Sequence, residues 1–327
     1  MPVKKIFLSL DIQEIAVELL QNEGFEVKVW REERPMTQVE LIAEAKKHNA
    51  LLCTSIDQID AIFLNECKHL DIISQYAAGY NNIDIAEATR LGIPIGNAPG
   101  AMNDATADTA FGLMIAVSRK MFYLHKTIEK GEWGYFKPKA NLGIELKNKT
   151  LGIFGLGRIG MEMAKRCKGA YDMHIIYHNR TPNKEAEKLL HAKWVSFEAL
   201  LAQSDVLSVH SVLSEDTKGI FDKAAFDQMK PSAIFINTSR GGVHNEADLI
   251  KALQNNKIWG AGLDVTNPEP MASDNPLLFM ENVAVLPHIG SATIEARTEM
   301  ARLAAMNIIA FYKKHEVPNI VNAEIMI

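Results

Sequence analysis

The fold is decided by a stretch near the middle of the chain, residues 150–167, which reads TLGIFGLGRIGMEMAKRC. Its first five residues predict a buried strand, and residues 161–167 continue as a helical pattern. Between them stand Gly155, Gly157 and Gly160, with the spacing of a dinucleotide-binding loop. The first glycine permits a tight turn, the second lets backbone amides approach a pyrophosphate, and the third lets the helix pack against the strand. We therefore predict a nucleotide site at these glycines, with Arg158 and Ile159 beside them.

Short apolar runs alternate with amphipathic stretches on both sides of this loop. The predicted strands are residues 6–10, 25–30, 50–54, 72–75, 93–96, 150–154, 174–177, 206–210, 233–237, 258–263 and 283–286. A βαβα rhythm of this kind is typical of parallel sheets covered by helices. We predict an α/β fold with two Rossmann-like or flavodoxin-like domains and one long helical segment over residues 103–130. The amphipathic segment 294–314 would make the first domain discontinuous if it returned to the first sheet.

Composition narrows the class of protein. The chain has 327 residues, enough for two domains, and a mild net charge of -5 without a basic stripe, which argues against nucleic acid or anionic membrane partners. Cys53, Cys67 and Cys167 lie far apart without a CxxC pair, so we predict free thiols and no metal site. Charges at Asp11 and Glu14 follow the first apolar run too soon for a signal peptide, which indicates a cytoplasmic protein.

The residues after the predicted strand 174–177 bear on the type of dinucleotide. Enzymes that prefer NAD usually carry an acidic residue there, which binds the ribose hydroxyls. Here the chain reads Asn179-Arg180-Thr181. Arg180 can pair with a 2′-phosphate, and Asn179 and Thr181 can add neutral donors. We predict a preference for NADP(H), with NAD(H) as the weaker cofactor; the alternative is that Arg180 is an ordinary solvated charge.

Three further segments follow predicted strands, and their polar residues suit acid–base chemistry. Arg240 follows the strand 233–237, and its planar guanidinium suits a carboxylate. Glu269 stands between two prolines that stiffen its loop, and His288 follows the strand 283–286. A carboxylate beside a histidine stabilises the imidazolium form, so Glu269 is expected to orient His288. Asp264, directly after another strand, is expected near the nicotinamide.

Together these residues predict the reduction of a 2-keto acid. Arg240 would anchor the carboxylate and the carbonyl oxygen of the substrate. His288 would donate a proton to that oxygen as a hydride arrives, and would act as base in the reverse direction. Each of these side chains taken alone has a structural alternative, such as a surface salt bridge for Arg240.

The sequence resembles the D-isomer-specific 2-hydroxyacid dehydrogenase family over nearly its whole length. The motifs that carry the resemblance are GYNNID at 79–84, the glycine loop 155–160, SRGG at 239–242, Asp264, PEP at 268–270 and PHIGS at 287–291. The resemblance implies the roles given above for Arg240, Glu269 and His288. It also implies that backbone amides near Ala78 and Gly79 bind the substrate carboxylate.

The resemblance further implies how the cofactor and the domains are arranged. Thr106 would lie near the nicotinamide and phosphates, and the segment 209–217 would line the adenosine side, although proline is more usual where Val212 stands. The complete expected cofactor site is Thr106, Gly155, Gly157, Arg158, Ile159, Gly160, Asn179, Arg180, Thr181, Val212, Thr217, Thr238, Ser239, Arg240, Asp264, His288 and Gly290. Residues 1–98 with 292–327 would form the substrate domain and 99–291 the cofactor domain. A homodimer would form through residues 100–145.

Within the family, the segments 287–293 and 179–181 look most like glyoxylate/hydroxypyruvate reductases. We therefore expect a small 2-keto acid such as glyoxylate or hydroxypyruvate as the substrate. Other family activities, on phosphoglycerate, lactate, formate or phosphite, stay open as alternatives. A co-repressor-like protein that senses dinucleotides without catalysis is a further alternative, since such proteins share this fold.

Overall fold

A computed structural model describes residues 2–326 and divides the chain into two compact units. The first unit comprises Met1–Met102 and Ala292–Ile327, and the second comprises Asn103–Ser291. The first unit is therefore built from both ends of the chain. The assignment of the first unit to the substrate and of the second to the cofactor stays a prediction.

The first unit is organised around a five-stranded parallel sheet. Its strands are β1 (Lys5–Leu8), β2 (Glu26–Val29), β3 (Ala50–Cys53), β4 (Ile72–Gln75) and β5 (Ile95–Gly96). They lie in the order β2-β1-β3-β4-β5, which is the flavodoxin-like order. The central strands β3 and β4 are buried throughout because helices cover both faces of the sheet.

Among residues 2–326, the first unit has five α-helices, and a side chain caps the start of four of them. The helices are α1 (Ile15–Asn22), α2 (Gln38–Ala45), α3 (Ala61–Glu66), α4 (Ile85–Leu91) and α12 (Ile294–Tyr312), with a 3-10 turn at Ala323–Met326. Thr37 forms a capping box with Glu40 at the start of α2, and Thr293 caps α12. Small residues of α12, such as Ala301 and Ala304, pack in the same core cluster as residues of β1 and β4. This contact is what makes the first unit discontinuous.

The second unit contains a seven-stranded parallel sheet. Its strands are β6 (Thr150–Phe154), β7 (His174–His178), β8 (Lys193–Trp194), β9 (Val206–Val209), β10 (Ile234–Asn237), β11 (Gly260–Leu263) and β12 (Val283–Val285). They lie in the order β12-β11-β10-β9-β6-β7-β8, the Rossmann order with one strand added at the end. The strand order reverses between β6 and β9, and ligands of open α/β sheets bind outside the carboxyl ends of the strands at such a switch point.

The helices of the second unit are α5 (Asn103–Ser118), α6 (Met121–Glu129), α7 (Arg158–Tyr171), α8 (Lys184–Leu190), α9 (Phe197–Gln203), α10 (Lys223–Gln228) and α11 (Glu246–Gln254), with 3-10 turns at Gly241–Val243 and Pro276–Phe279. The predicted continuous helix over 103–130 is wrong in one respect, because Lys120 takes a left-handed conformation with φ of 53° between α5 and α6. Its ammonium lies 2.8 Å from the carboxylate of Glu281 and over the ring of Trp259. Both contacts are with residues far away in the sequence, so the pattern of apolar residues within 103–130 did not reveal the break.

The predictions of an α/β fold with two parallel sheets are confirmed. Cys53, Cys67 and Cys167 are free and buried. Within residues 2–326, none of the helices combines the length and apolarity needed to cross a bilayer.

Candidate active site

The candidate catalytic residues of the second unit lie in segments that follow the carboxyl ends of neighbouring strands. In the register of the parallel strands, Asn237 at the end of β10 is opposite Leu263 of β11, and Leu263 is opposite Val285 of β12. The three strands therefore end at the same level, and the segments that follow them emerge side by side. These segments carry Arg240, Glu269 and His288.

His288 and Glu269 form a direct hydrogen-bonded pair. The Nδ1 atom of His288 lies 2.5 Å from Oε1 of Glu269, and both side chains are about two-fifths exposed, at 42% and 41%. Burial raises the pKa of Glu269, but the hydrogen bond and the charge of His288 outweigh this effect and leave the pKa below its ordinary value. Because Nδ1 faces the carboxylate, Nε2 of His288 is the nitrogen left to face a reactant.

Asp264 holds the backbone that follows His288. Its two carboxylate oxygens accept hydrogen bonds from the N–H groups of Ile289 and Gly290, each at 2.7 Å. Burial raises the pKa of Asp264 despite the opposing effect of these two bonds. The Thr106 hydroxyl donates to the carbonyl of Gly290 at 3.1 Å, so α5 holds the same loop. The hydrogen bonds of Asp264 and Thr106 thus fix the loop that follows His288.

Arg240 is partly buried, and its Nη1 donates to the carbonyl of Ser239 at 2.7 Å. Burial lowers the pKa of the guanidinium, and the charge of Glu269 acts in the opposite direction. The neighbouring Gly241 allows this segment to lie against the loop that carries Glu269. A Cβ atom at Gly241 would stand 1.9 Å from the carbonyl oxygen of Thr266, so only glycine permits this approach without movement.

The glycine loop connects β6 to α7 and has the geometry of an anion site. Gly155 has φ of 92°, and a Cβ atom there would stand 2.6 Å from the amide nitrogen of Ser211. Gly157 is the N-cap residue of α7, has no side-chain cap, and has open space where a side chain would stand. The first N–H groups of α7, at Arg158, Ile159 and Gly160, therefore belong to a helix end that suits a phosphate.

Asn179 has a different position from the one expected of a 2′-phosphate donor. Its Oδ1 accepts from the N–H of Leu156 at 2.6 Å, and its Nδ2 donates to the carbonyl of Leu156 at 3.2 Å. The indole of Trp194 donates to the carbonyl of Asn179 at 3.0 Å. Asn179 thus ties the glycine loop to the end of β7, while Arg180 and Thr181 next to it are exposed.

Two buried hydroxyl groups lie near the carboxyl ends of β9 and β10. Their hydrogen bonding bears on whether a dinucleotide could bind at these strand ends. Within residues 2–326, the side-chain oxygens of Ser211 and Thr238 are buried without a hydrogen-bond partner. Buried polar groups in native proteins are almost always paired, so these atoms suit a ligand rich in hydrogen-bonding groups. Val212, next to Ser211, is 71% exposed, as the side of a binding surface would be. The hydroxyl of Thr217 is used inside its own loop, where it donates to the carbonyl of Val212 at 2.7 Å.

Ala78 and Gly79 lie in the first unit, in the loop after β4. The carbonyl of Ala78 accepts from Asn97 at 2.8 Å, and that of Gly79 accepts from Gln75 at 3.3 Å. Both carbonyls therefore accept hydrogen bonds from side chains of the same unit. The proposed contact of this loop with a substrate carboxylate stays a prediction.

Sequence reasoning missed Asn237 and His244, which lie behind Arg240. Asn237 bonds to Ser239, Arg240 and His244, and both Asn237 and His244 are buried. For Asn237, the signal was a polar residue at the end of an otherwise apolar strand, three residues before Arg240. Among residues 2–326, no group of three or more histidine, cysteine, aspartate or glutamate side chains could hold a metal ion.

Comparison with known proteins points to one family. The sequence profile described as "D-isomer specific 2-hydroxyacid dehydrogenase, NAD binding domain" matches residues 111–290. The glyoxylate reductase of Thermococcus litoralis is 43% identical over 326 residues, which cover 98% of each chain. The crystal structure of a glyoxylate reductase from Paecilomyes thermophila matches with a TM-score of 0.88 and 34% identity, over 99% of this chain and 100% of that one. An NADPH-dependent glyoxylate/hydroxypyruvate reductase from Sinorhizobium meliloti, solved with NADP and malonate, matches with a TM-score of 0.85 and 29% identity, over 97% and 96% of the two chains.

Proposed function

The chain belongs to the D-isomer specific 2-hydroxyacid dehydrogenase family, and from that premise we propose that it reduces glyoxylate or hydroxypyruvate with NADP(H) as the preferred cofactor. The resemblance predicted from the sequence is thereby confirmed at the level of the family. The enzyme class is a 2-hydroxyacid dehydrogenase or reductase that uses a nicotinamide dinucleotide. The keto acid and the preference for NADP(H) are our proposals.

The main support for the proposal is the hydrogen-bonded pair of His288 and Glu269. The segment that contains Arg240 follows a strand that ends at the same level of the sheet. A histidine held by a carboxylate through Nδ1 presents Nε2 as a proton donor. A guanidinium nearby suits the carboxylate that every 2-keto acid carries. Glyoxylate reductases are also among the relatives that match over the full length of the chain.

The roles of the residues follow from this arrangement. Arg240 binds the carboxylate of the keto acid and draws charge towards its carbonyl oxygen. His288 transfers the proton on Nε2 to that oxygen, and Glu269 stabilises the imidazolium before the transfer. The dinucleotide, when bound, supplies the hydride that reduces the carbonyl carbon. In the opposite direction, His288 accepts the proton of the hydroxyl group.

The residues proposed to hold the cofactor lie along the switch point of the second sheet. The glycine loop and the first turn of α7 would bind the pyrophosphate, and the hydroxyls of Ser211 and Thr238 would find partners on the ligand. Arg180 is exposed beside this loop and would pair with a 2′-phosphate. Asn179 would act by holding Arg180 and the glycine loop together, through its bonds to Leu156.

We also propose a homodimer that forms through residues 100–145. Large aromatic side chains in this part of the chain are exposed, including Trp133 at 79% and Phe136 at 86%. Exposed apolar surface of this kind often marks a protein interface. Light scattering coupled to size exclusion tests the proposal: a mass of one chain at micromolar concentration would contradict it.

A panel of keto acids assayed with NADPH and with NADH tests the proposed function. We expect the highest kcat/KM for glyoxylate or hydroxypyruvate with NADPH. Turnover confined to lactate or to phosphoglycerate and their keto acids would contradict the substrate. An equal or better kcat/KM with NADH would contradict the cofactor preference alone.

A further inference from the structure

The side chain of Asn237 uses its full hydrogen-bonding capacity on the segment that carries Arg240. It is fully buried at the last position of β10. Its Oδ1 accepts from the N–H and from the hydroxyl of Ser239, both at 2.9 Å. Its Nδ2 donates to the carbonyl of Arg240 at 3.0 Å and to Nδ1 of His244 at 3.1 Å. A primary amide has two donor hydrogens and two acceptor positions, and all four are used here.

These partners leave one orientation for the amide and one tautomer for His244. The N–H of Ser239 can only donate, and the carbonyl of Arg240 can only accept, so Oδ1 must face Ser239 and Nδ2 must face Arg240. The second hydrogen on Nδ2 then points to Nδ1 of His244. That nitrogen must carry a lone pair, and the proton of the neutral imidazole must be on Nε2.

His244 is held in place for this bond by its surroundings. It is 1% exposed, and its ring packs edge-on against Phe235 with the centroids 5.8 Å apart. Its backbone N–H donates to the carbonyl of Gly241 at 3.2 Å. Within the part of the chain that the structure describes, Nε2 has no hydrogen-bond partner. A buried N–H without a partner is costly, so packing alone would be served better by an apolar ring. The acceptor at Nδ1 accounts for a histidine at this position.

We propose that Asn237 and His244 are a positioning pair that fixes the backbone of Ser239 and Arg240, and thereby the direction of the guanidinium towards the carboxylate of the keto acid. Neither residue is proposed to touch the substrate. The proposal rests on the role of Arg240 given under the proposed function. It adds that the hydrogen-bond acceptor that His244 presents at Nδ1 is required for efficient binding of the keto acid.

The kinetic test compares three variants with the wild-type enzyme. H244F keeps a ring against Phe235 but removes the acceptor, and we expect KM for glyoxylate to rise by about tenfold, with KM for NADPH unchanged. H244N places an amide oxygen where Nδ1 stands and should restore most of the wild-type KM. F226L is the matched control, because Phe226 also packs edge-on against Phe235, at 5.4 Å, from α10. It should lower the Tm without changing KM for glyoxylate.

Three kinetic outcomes would overturn the proposal: a wild-type KM in H244F, no recovery in H244N, or the same rise of KM in F226L. An independent measurement uses ¹⁵N-labelled histidine in the wild-type protein, where the imidazole shifts of His244 should report a neutral ring with its proton on Nε2. A proton on Nδ1 would overturn the proposal as well. If the wild-type enzyme reduces neither glyoxylate nor hydroxypyruvate, the proposed function fails, and the tautomer still decides whether the pair exists.

Discussion

The Nδ1 atom of His288 lies 2.5 Å from Oε1 of Glu269, and His288 makes this contact from a left-handed backbone conformation with φ of 54°. Such a conformation costs a residue with a side chain about 1 kcal/mol or more. The two N–H groups that follow, of Ile289 and Gly290, are held by the buried carboxylate of Asp264. These two hydrogen bonds therefore stabilise the strained backbone of His288, and this backbone directs the imidazole towards Glu269.

The first prediction concerns the proton donor. His288→Ala removes the group that protonates the carbonyl oxygen, so kcat for glyoxylate should fall by about 10²–10⁴-fold, the usual contribution of a general acid. Binding of NADPH should persist, because the glycine loop is unchanged. Steady-state kinetics and a fluorescence titration with NADPH measure the two effects. Near-normal turnover across the pH range would show that another group is the acid.

A second prediction follows from the charge of Glu269. Its pKa lies below the ordinary value of 4.5, so the carboxylate stays ionised down to that pH, and the stabilisation of the pair is lost as the pH falls through the lowered pKa. In Glu269→Gln the imidazolium loses its counter-charge. We expect kcat for glyoxylate reduction to fall by about tenfold or more, because the protonated form of the donor is no longer stabilised.

Steady-state kinetics with glyoxylate and NADPH measure this fall. Asp227→Asn is the control, because Asp227 is a surface carboxylate paired with Lys223 on α10. A wild-type kcat in Glu269→Gln would mean that Glu269 does not support His288 as the proton donor.

A third prediction tests Arg180 as the residue that selects the cofactor. Removal of a charge-assisted pair with a 2′-phosphate should raise KM for NADPH by about 10–100-fold in Arg180→Ala, with KM for NADH nearly unchanged. Lys184→Ala is a matched control, since Lys184 is an exposed cation nearby that already pairs with Glu187. Equal losses with both cofactors would indicate that Arg180 acts on the fold or on the pyrophosphate instead.

The fourth prediction concerns the close approach at Gly241. In Gly241→Ala the new methyl group would overlap the carbonyl of Thr266, so the segments carrying Arg240 and Glu269 must move apart. We expect a loss of about 1–3 kcal/mol in the free energy of unfolding, together with a large fall in kcat/KM. Denaturant unfolding and glyoxylate kinetics measure the two effects. Gly169→Ala is the control, because a Cβ atom there has open space on α7. It should leave kcat/KM unchanged and raise the free energy of unfolding by up to about 1 kcal/mol, since alanine is the better helix former.

Much of the fold and several site residues could be predicted because their signals are local. Gly155, Gly157 and Gly160 stand at a fixed spacing between a strand pattern and a helix pattern, and the structure has β6 and α7 at those places. The alternation of strands and helices predicted parallel sheets, since crossovers of that length join parallel strands. The segments of Arg240, Glu269 and His288 were found because each directly follows an apolar strand.

Contacts between residues far apart in the chain were decided only by the tertiary structure. The helix over 103–130 breaks at Lys120, which contacts Glu281 and Trp259. Asn179 bonds the glycine loop instead of facing outward beside Arg180, and Asn237 bonds His244 behind Arg240.

The α/β class, the glycine loop and the set of chemically active side chains can be predicted from short segments of the sequence. Periodicities of two and 3.6 residues and the spacing of glycines can be seen within short segments. The hydrogen-bond partners of those side chains are set by the folded chain, because a hydrogen bond depends on a few tenths of an ångström and on direction. Those quantities are fixed by the register of the strands and the packing of the helices, as in the contact between His288 and Glu269.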